Sequence, residues 1–550
     1  MTTGKIGLLA MTAGLLPAAV ALPASAQAAR GLTTGLTAVD QYQSPDPSTR
    51  ALWFDRTVDA GAGIVRLSLH WRGVAPTPPA NPASPNSYDF TPVDAAVRDA
   101  AARGVQVMLT VNSAPDWAEG PGRPASAFEG SWKPNPAAFA QFMQAVAARY
   151  SGSFDPDGPG GQPVLPLVQA LQVWNEPNQD NWLGPQFQGQ EIIGPDQYRE
   201  LLNASYDAIK AVSPRTLVVT GGTSPYGDPP GGPYPPGGAR VRPVQWWEDF
   251  LCVRPAKSQQ GKEGTQAAQT GYVRAANCGG TPLFDILAHQ PIDNTGKGPL
   301  QSGPTQDDVS TPDLGRVVNV LRSAERLGTI SGGAHPVWVT EFWWDTKPPN
   351  PVGAPPLTQA RWIAQTLYLY WKAGADTAIN FQLRDSAEYP STRNGFQSGL
   401  YFLDGSAKPG LTAFRFPFVT ERLNETTLSA WGRSPEAGQL RIQRPEGSRW
   451  RTVKRLQVGK GGVFLTRLRL SGKQRLRATV GSSTSIVWTQ GASETDSSDG
   501  GGLSRTSVLI LLLAGLALVV TVAAVLRRRQ LVRRRGDMSL EPARGNGTKS

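Results

Sequence analysis

Leu171-Gln172-Val173-Trp174-Asn175-Glu176-Pro177-Asn178 is a short apolar run that ends on a glutamate. Pro177 stops it, because proline has no N–H to give to a sheet ladder. The run Val337-Trp338-Val339-Thr340-Glu341-Phe342-Trp343-Trp344 ends in the same way on Glu341. Both acids therefore sit at the C-terminal ends of apolar strands. In a closed barrel of parallel strands those ends meet at one mouth, where catalytic groups gather.

Outward from these two runs, the chain alternates between strand-like and helix-like segments. The expected strands are 32–42, 63–71, 105–115, 167–175, 216–222, 284–291, 337–341 and 378–383. Amphipathic helical stretches fall at 49–60, 92–103, 136–150, 195–212, 244–251, 311–327 and 357–373. Pro92, Pro136, Pro195 and Pro312 stand at or near helix starts, where a missing N–H costs nothing. Strands separated by helices predict a parallel sheet, since parallel neighbours need long crossovers. An open doubly wound sheet would also suit the alternation, but no Gly-rich phosphate loop follows the first strand. By this count Glu176 ends the fourth strand and Glu341 the seventh.

After Thr420 the helical periodicity stops. Residues 421–490 carry short alternating runs (439–443, 463–470 and 485–489) broken by Gly and Ser, which predicts a small β-sandwich. The expected architecture is thus α/β: a (β/α)8 TIM barrel over 31–420, a small all-β sandwich over 421–490 and one C-terminal transmembrane helix. Residues 491–506 read as a flexible linker.

Both ends of the chain carry targeting signals. Lys5, an apolar stretch and Ala24-Ser25-Ala26 make residues 1–29 a signal peptide. Residues 507–526 are uncharged and mostly apolar, long enough to cross roughly 30 Å of hydrocarbon. Six arginines follow between 527 and 535, and such a cluster stays on the cytoplasmic side. The expectation is a cell-membrane protein with a single span, a basic cytoplasmic tail over 527–550 and its N-terminal domains extracellular.

The net charge of +11 is unevenly distributed. Residues 431–490 hold 13 Lys and Arg against 2 Asp and Glu, and 527–550 hold 8 against 2. The expected barrel is mildly acidic, so nucleic acid is not an expected partner. The basic β-domain could instead meet an anionic surface polymer or lipid, or be a solvated spacer. Cys252 and Cys278, the two cysteines, suit a disulfide outside the cell, with a pair of buried thiols as the alternative. Together with three histidines they leave little material for a zinc site, and no metal or organic cofactor is expected.

Two carboxyl groups at one mouth are what glycoside hydrolysis requires, one protonated and the other ionised. Trp174-Asn175-Glu176-Pro177-Asn178 and Thr340-Glu341-Phe342 resemble the paired signatures of the clan of retaining β-glycosidases with (β/α)8 barrels, families 39 and 5 above all. The resemblance covers roughly residues 35–420. It implies Glu176 as acid/base, Glu341 as nucleophile, and Asn175 as a hydrogen-bond partner of the sugar 2-hydroxyl. It further implies that Arg66 sits beside Glu341 and favours its ionised form. His289 matches a segment that often follows the sixth strand, with a core histidine as the alternative. Trp343 and Trp344, on a strand-to-helix loop, offer faces on which a sugar could stack. One departure stands out: the clan ends its eighth strand on a tryptophan, whereas this chain has Asn380-Phe381-Gln382.

The expected activity is hydrolysis of a β-linked oligo- or polysaccharide by double displacement. Transglycosylation in wall assembly would use the same residues. A catalytically inactive surface glycan-binding protein is the alternative from a different class. The sugar, the linkage and the oligomeric state are not written in the sequence.

Overall fold

The computed structural model describes residues 29–490, apart from 159–160, 162, 235–237, 257–270, 277, 293–295, 349 and 387–395. The expected signal peptide, all but its last residue, lies outside the described residues, as do the linker, the span and the tail. Among the described residues, no helix is long and apolar enough to cross a membrane. The chain divides into the units Met1–Gly491 and Ala492–Ser550, and the first holds everything below.

Eight parallel strands form one sheet: β1 (Thr33–Thr37), β2 (Ile64–His70), β3 (Gln106–Asn112), β4 (Ala170–Val173), β5 (Leu217–Val219), β6 (Leu287–His289), β7 (Val337–Phe342) and β8 (Thr377–Phe381). β8 pairs with β1 in parallel. Parallel bridges Val219–Ile286 and Thr223–His289 join the β5 side to the β6 side, which closes the barrel. A helix of seven residues or more follows each strand: α1 (Pro47–Asp59), α2 (Thr91–Ala102), α3 (Pro136–Arg149), α4 (Gly194–Val212), α5 (Pro243–Phe250), α6 (Gly315–Leu327), α7 (Pro356–Ala373) and α8 (Pro409–Arg415). Proline occupies the first turn of every one except α6. Asp46 caps α1 by accepting from Ser48 and Thr49 N–H, and Asn135 caps α3 by accepting from Ala138 N–H.

Two of the boundaries that differ from expectation have a local cause. The first strand stops at Thr37 rather than running to 42, because Val39–Tyr42 turns into a short helix. There Tyr42 stacks on Phe54 with ring centroids 4.6 Å apart and bonds Thr57, so packing overrides β propensity. The expected helix 311–327 opens instead with a 3-10 turn at Thr311–Asp313, which Ser310 and Asp313 close as a capping box.

Inside the barrel the side chains stack in layers. Ile64, Met108, Ala170, Val219, Ile286, Ala288, Trp338 and Ile379 make one buried apolar layer. β1 adds no side chain to it. Gly35 lies so close that a Cβ there would approach Ile64 Cγ2 to 2.7 Å. Two residues further along the strands, toward the mouth, the inward positions become polar: Arg66, Thr110, Gln172, Gln290 and Thr340. The apolar layer thus serves as a floor on which a polar layer is built.

The segment after α8 folds as two antiparallel sheets. One holds β9 (Phe418–Asn424), β10 (Thr427–Arg433) and β13 (Val463–Arg469). The other has β11 (Gly438–Glu446) between β12 (Arg449–Val458) and β14 (Arg475–Val480). Leu428, Ala430, Phe464 and Leu468 from the first share a core with Leu440, Ile442, Leu476 and Ala478 from the second. β9 begins at Phe418, slightly before the expected change of texture at 421.

This β-rich part is not a free appendage. Trp431 packs against Tyr368 and Trp371 of α7, with ring centroids 5.4 and 5.8 Å away. Arg433, nearly buried, donates to the carbonyl oxygens of Leu32 (3.1 Å) and Gly61 (3.2 Å). It thereby holds the backbone just before β1 and β2. Cys252 and Cys278 form a disulfide with Cα atoms 5.6 Å apart. The bond lies beside a short hairpin of Val253–Pro255 and Tyr272–Arg274.

Candidate active site

Arg66, at an inward position of β2, is the hub of the polar layer. Its Nε donates to Thr110 Oγ1 at 2.9 Å, its Nη2 to Asn175 Oδ1 at 2.8 Å and its Nη1 to Glu341 Oε2. Thr110 Oγ1 in turn donates to Gln172 Oε1 at 2.8 Å, and Gln172 Nε2 donates to Thr340 Oγ1 at 3.2 Å. The network runs across four strands and fixes the guanidinium on three sides.

Local backbone geometry turns each glutamate inward. In a regular strand, neighbours point to opposite faces. Yet Thr340 and Glu341 both reach the barrel interior. The register of β7 against β8 shifts between Val339 and Phe342, and such an irregularity re-aims a side chain. At the end of β4 a different device operates: Trp174 and Glu176 both adopt left-handed backbone conformations, φ 72° and 37°. Non-glycine residues pay steric strain there. The strain is held by Trp174 N–H donating to Val111 O (2.8 Å) and Trp174 Nε1 donating to Trp182 O (2.7 Å).

Asn175 is oriented by two donors. Arg66 Nη2 and Gln290 Nε2 (3.0 Å) both donate to its Oδ1, so its amide nitrogen is the group left over, with no hydrogen-bond partner among the described residues. The carboxyl of Glu176 accepts from Gln179 Nε2 at 2.7 Å and from Trp182 Nε1 at 3.0 Å. Both glutamates are half-buried.

The two carboxyls differ in their electrostatics. Burial lifts the Glu176 pKa to about 8, with the negative charge of Glu341 adding to the rise, while Trp182, Arg66 and Gln179 oppose it. The Glu341 pKa also lies above the usual carboxylate value: burial raises it further than Arg66 brings it down. Arg66 was expected to leave Glu341 with a lowered value, and desolvation reverses that net direction. The pairing itself stands, and it gives Glu341 a cation that bonds it directly. Glu176 has no cation bonded to it; its carboxyl accepts only from Gln179 and Trp182 among the described residues.

The Trp182 hydrogen bond has a measurable consequence. In Trp182→Phe the N–H donor to the ionised Glu176 is lost, so its pKa should rise above about 8. Carbon-13 NMR titration of the Glu176 carboxyl would read the shift. A value unchanged or lowered would show that the bond does not act on it.

Other expected site residues fall elsewhere. His289 is fully buried, with Nδ1 on Thr223 Oγ1 (2.8 Å) and Nε2 on Val309 O (2.9 Å), and burial lowers its pKa to about 4. Both ring nitrogens are engaged by the scaffold, which corrects its placement at the substrate. Trp344 is likewise buried, donates to Thr366 Oγ1 and packs edge-on against Trp362, so it supports the wall rather than offering a face. Trp343 is half-buried and clusters with Phe381 (5.5 Å) and Phe396 (5.4 Å). An aromatic group therefore does stand at the end of β8, made by Phe381 with two partners.

That cluster is fastened from beneath. Lys408, whose side chain is fully buried, donates to Asp385 Oδ1 (2.7 Å), Thr346 Oγ1 (2.9 Å) and Gln397 O (2.9 Å). Asp345 Oδ1 accepts from Gln397 N–H at 3.0 Å. The loops that carry Trp343 and Phe396 are thereby tied to one ammonium group.

The polar-layer residues Gln172, Gln290 and Thr340, and the Glu176 partners Gln179 and Trp182, are not singled out in these roles by the sequence. The first three sit two residues beyond an apolar inward position, a period-2 signal that could have found them. Gln179 and Trp182 lie on an irregular loop, where no period points to them. Among the described residues, no group of three or more His, Cys, Asp or Glu side chains is placed to hold a metal ion.

A polar layer above an apolar floor, with two unlike carboxyls at strand ends four and seven, gives this (β/α)8 barrel the pair of groups that glycoside hydrolysis requires. Residues 28–249 match the family model of the cellulases, glycosyl hydrolase family 5. Among solved structures the chain is similar to a family 39 glycoside hydrolase from the gut symbiont Bacteroides cellulosilyticus WH2. Identity there is 18%, coverage 80% of this chain and 81% of that one, and the TM-score 0.48. A glucosidase from Croceicoccus marinus is 14% identical, with 82% and 98% covered and a TM-score of 0.44. A monomeric beta-xylosidase from Caulobacter crescentus CB15 is 14% identical, with 81% and 96% covered and a TM-score of 0.44. No curated protein matches the sequence.

Proposed function

We propose that this protein is a retaining glycosidase that cleaves O-glycosidic bonds of a β-linked glycan by double displacement. The observation that carries the reading is the unequal pair: Glu341 bonded to Arg66, and Glu176 without a bonded cation and with its pKa near 8. Glu176 is therefore the group suited to carry a proton near neutral pH, while Arg66 favours the ionised form of Glu341.

In the first step Glu341 attacks the anomeric carbon while Glu176 gives its proton to the departing oxygen. The C–O bond to the leaving group breaks as the glycosyl ester to Glu341 forms. Esterification removes the charge of Glu341, one of the two causes that raise the Glu176 pKa. Glu176, now ionised and easier to keep so, takes a proton from water. The water oxygen attacks the anomeric carbon as that proton leaves it, and Glu341 is released. The same two groups thus exchange roles without any external switch. Asn175 Nδ2 is the donor available to a sugar 2-hydroxyl, and the Trp343–Phe381–Phe396 wall is the apolar face for a ring.

Labelling tests this directly. The full-length protein would be incubated with a panel of 2-deoxy-2-fluoro-β-glycosides and its peptides analysed by mass spectrometry. The expected adduct is on Glu341, and the reactive sugar identifies the substrate class. An adduct on another residue would overturn the assignment. Glycan binding without adduct or product would favour a barrel that only binds.

Residues 1–29, 507–526 and the arginines at 527–535 support placing this activity on the outer face of a membrane. Protease treatment of intact cells should then remove the barrel and spare the tail.

A further inference from the structure

The outward face of the β11–β12–β14 sheet carries a cluster of arginines that the catalytic reading leaves unused. Leu440, Ile442, Leu476 and Ala478 turn into the core. By strand alternation Arg441, Arg475 and Arg477 turn out, and Arg455, opposite Arg441, turns out with them. Arg441, Arg455 and Arg475 are exposed and Arg477 is half-buried.

This arrangement is costly without a partner. Arg441 and Arg455 are directly paired across β11 and β12, and like charges so placed repel. Among the described residues none of the four arginines forms an ion pair. The only two acids between 431 and 490 are occupied elsewhere. Glu436 accepts from Ser483 Oγ at 2.5 Å, and Glu446 pairs with Arg451 at 3.0 Å.

Beside the charges lies the half-buried indole of Trp450. The Arg477 guanidinium sits 4.1 Å from the Trp450 ring centroid and its Nε donates to Gln443 Oε1 at 3.0 Å. Gln443 in turn lies opposite Thr452 and Arg477 in the ladder. Guanidinium forks suit anionic oxygens, amides and hydroxyls suit sugar hydroxyls, and an indole suits a ring face. A rigid sheet spaces these groups at about 4.8 Å from strand to strand.

We propose that this face binds an anionic glycan, a polysaccharide bearing carboxylates or phosphodiesters, and so holds the barrel near its polymer. The binding face does not depend on the glycosidase reading. Glu341→Ala should bind as well as the unaltered protein whether or not that reading holds.

Affinity electrophoresis of the full-length protein in neutral detergent tests the proposal. The gels would contain polygalacturonate, poly(glycerol phosphate), neutral dextran or oligo(dT), with phosphatidylglycerol vesicles tested in parallel by flotation. The expected result is salt-sensitive retardation by polygalacturonate or poly(glycerol phosphate), and the retarding polymer identifies the anionic group. Replacing Arg441, Arg455, Arg475 and Arg477 by Gln should weaken binding about 100-fold or more, since one basic side chain at an anionic surface contributes roughly fivefold. Trp450→Ala, which leaves all four charges, should weaken it by a smaller factor. Unchanged binding in the four-residue variant, no retardation by either polymer, equal retention by oligo(dT), or a loss seen only with vesicles would each overturn the proposal.

Discussion

Truncation of Glu341 to glycine is expected to lower turnover by about four orders of magnitude or more, as loss of a residue from an interlocked catalytic group does. The cause is double. The nucleophile is gone, and Arg66 is left as a nearly buried cation without its counter-ion. Both defects have one remedy. A small anion such as azide can enter the vacated space beside Arg66 and attack the anomeric carbon itself. The product would be a glycosyl azide of inverted configuration, and product NMR would detect it. Full hydrolysis by the glycine variant would show that the nucleophile lies elsewhere. Azide rescue with retained configuration would equally contradict the geometry proposed for the pair.

Replacing Glu176 by Gln should lower kcat/KM by about 100- to 10,000-fold on substrates with poor leaving groups, the usual worth of a positioned general acid. The effect on an activated aryl glycoside should be much smaller in the first step, because that leaving group needs no proton. The sign of the pH effect follows from the raised pKa. The protonated form required for the first step predominates below about 8, so activity of the unaltered protein should fall as pH rises through that value. In the glutamine variant this alkaline limb should vanish. A limb that persists at the same pH would assign it to another group, and Glu176 would lose its proposed role.

Much of this site could be read from the chain before any coordinates. The glutamates were legible because each follows an apolar run of strand length, and Arg66 because it stands within another. What escaped were the interactions that depend on tertiary contact. Desolvation sets the net direction at Glu341, and no residue near it in sequence signals how deep it lies. His289 sits one residue before Gln290, and only the side-chain directions decide that the amide, not the imidazole, reaches Asn175. Phe381 looked like a missing tryptophan until Trp343 and Phe396 closed around it. The β-domain was visible as texture, but its grip on the barrel was not, because Arg433 and Leu32 are 401 residues apart.

That last contact bears on the order in which the molecule can be completed during synthesis. β1 emerges first, yet its partner β8 lies at Thr377–Phe381, and the guanidinium that secures the backbone beside β1 belongs to residue 433. Contacts so distant in the chain form late and slowly. Through most of translation the first strand therefore has one edge unpaired, and such edges invite wrong pairing. A chain cut after α8 would keep every catalytic group and still lack Arg433 and Trp431 at this seam. The first strand made is among the last to be secured, and the β-domain acts as the clasp.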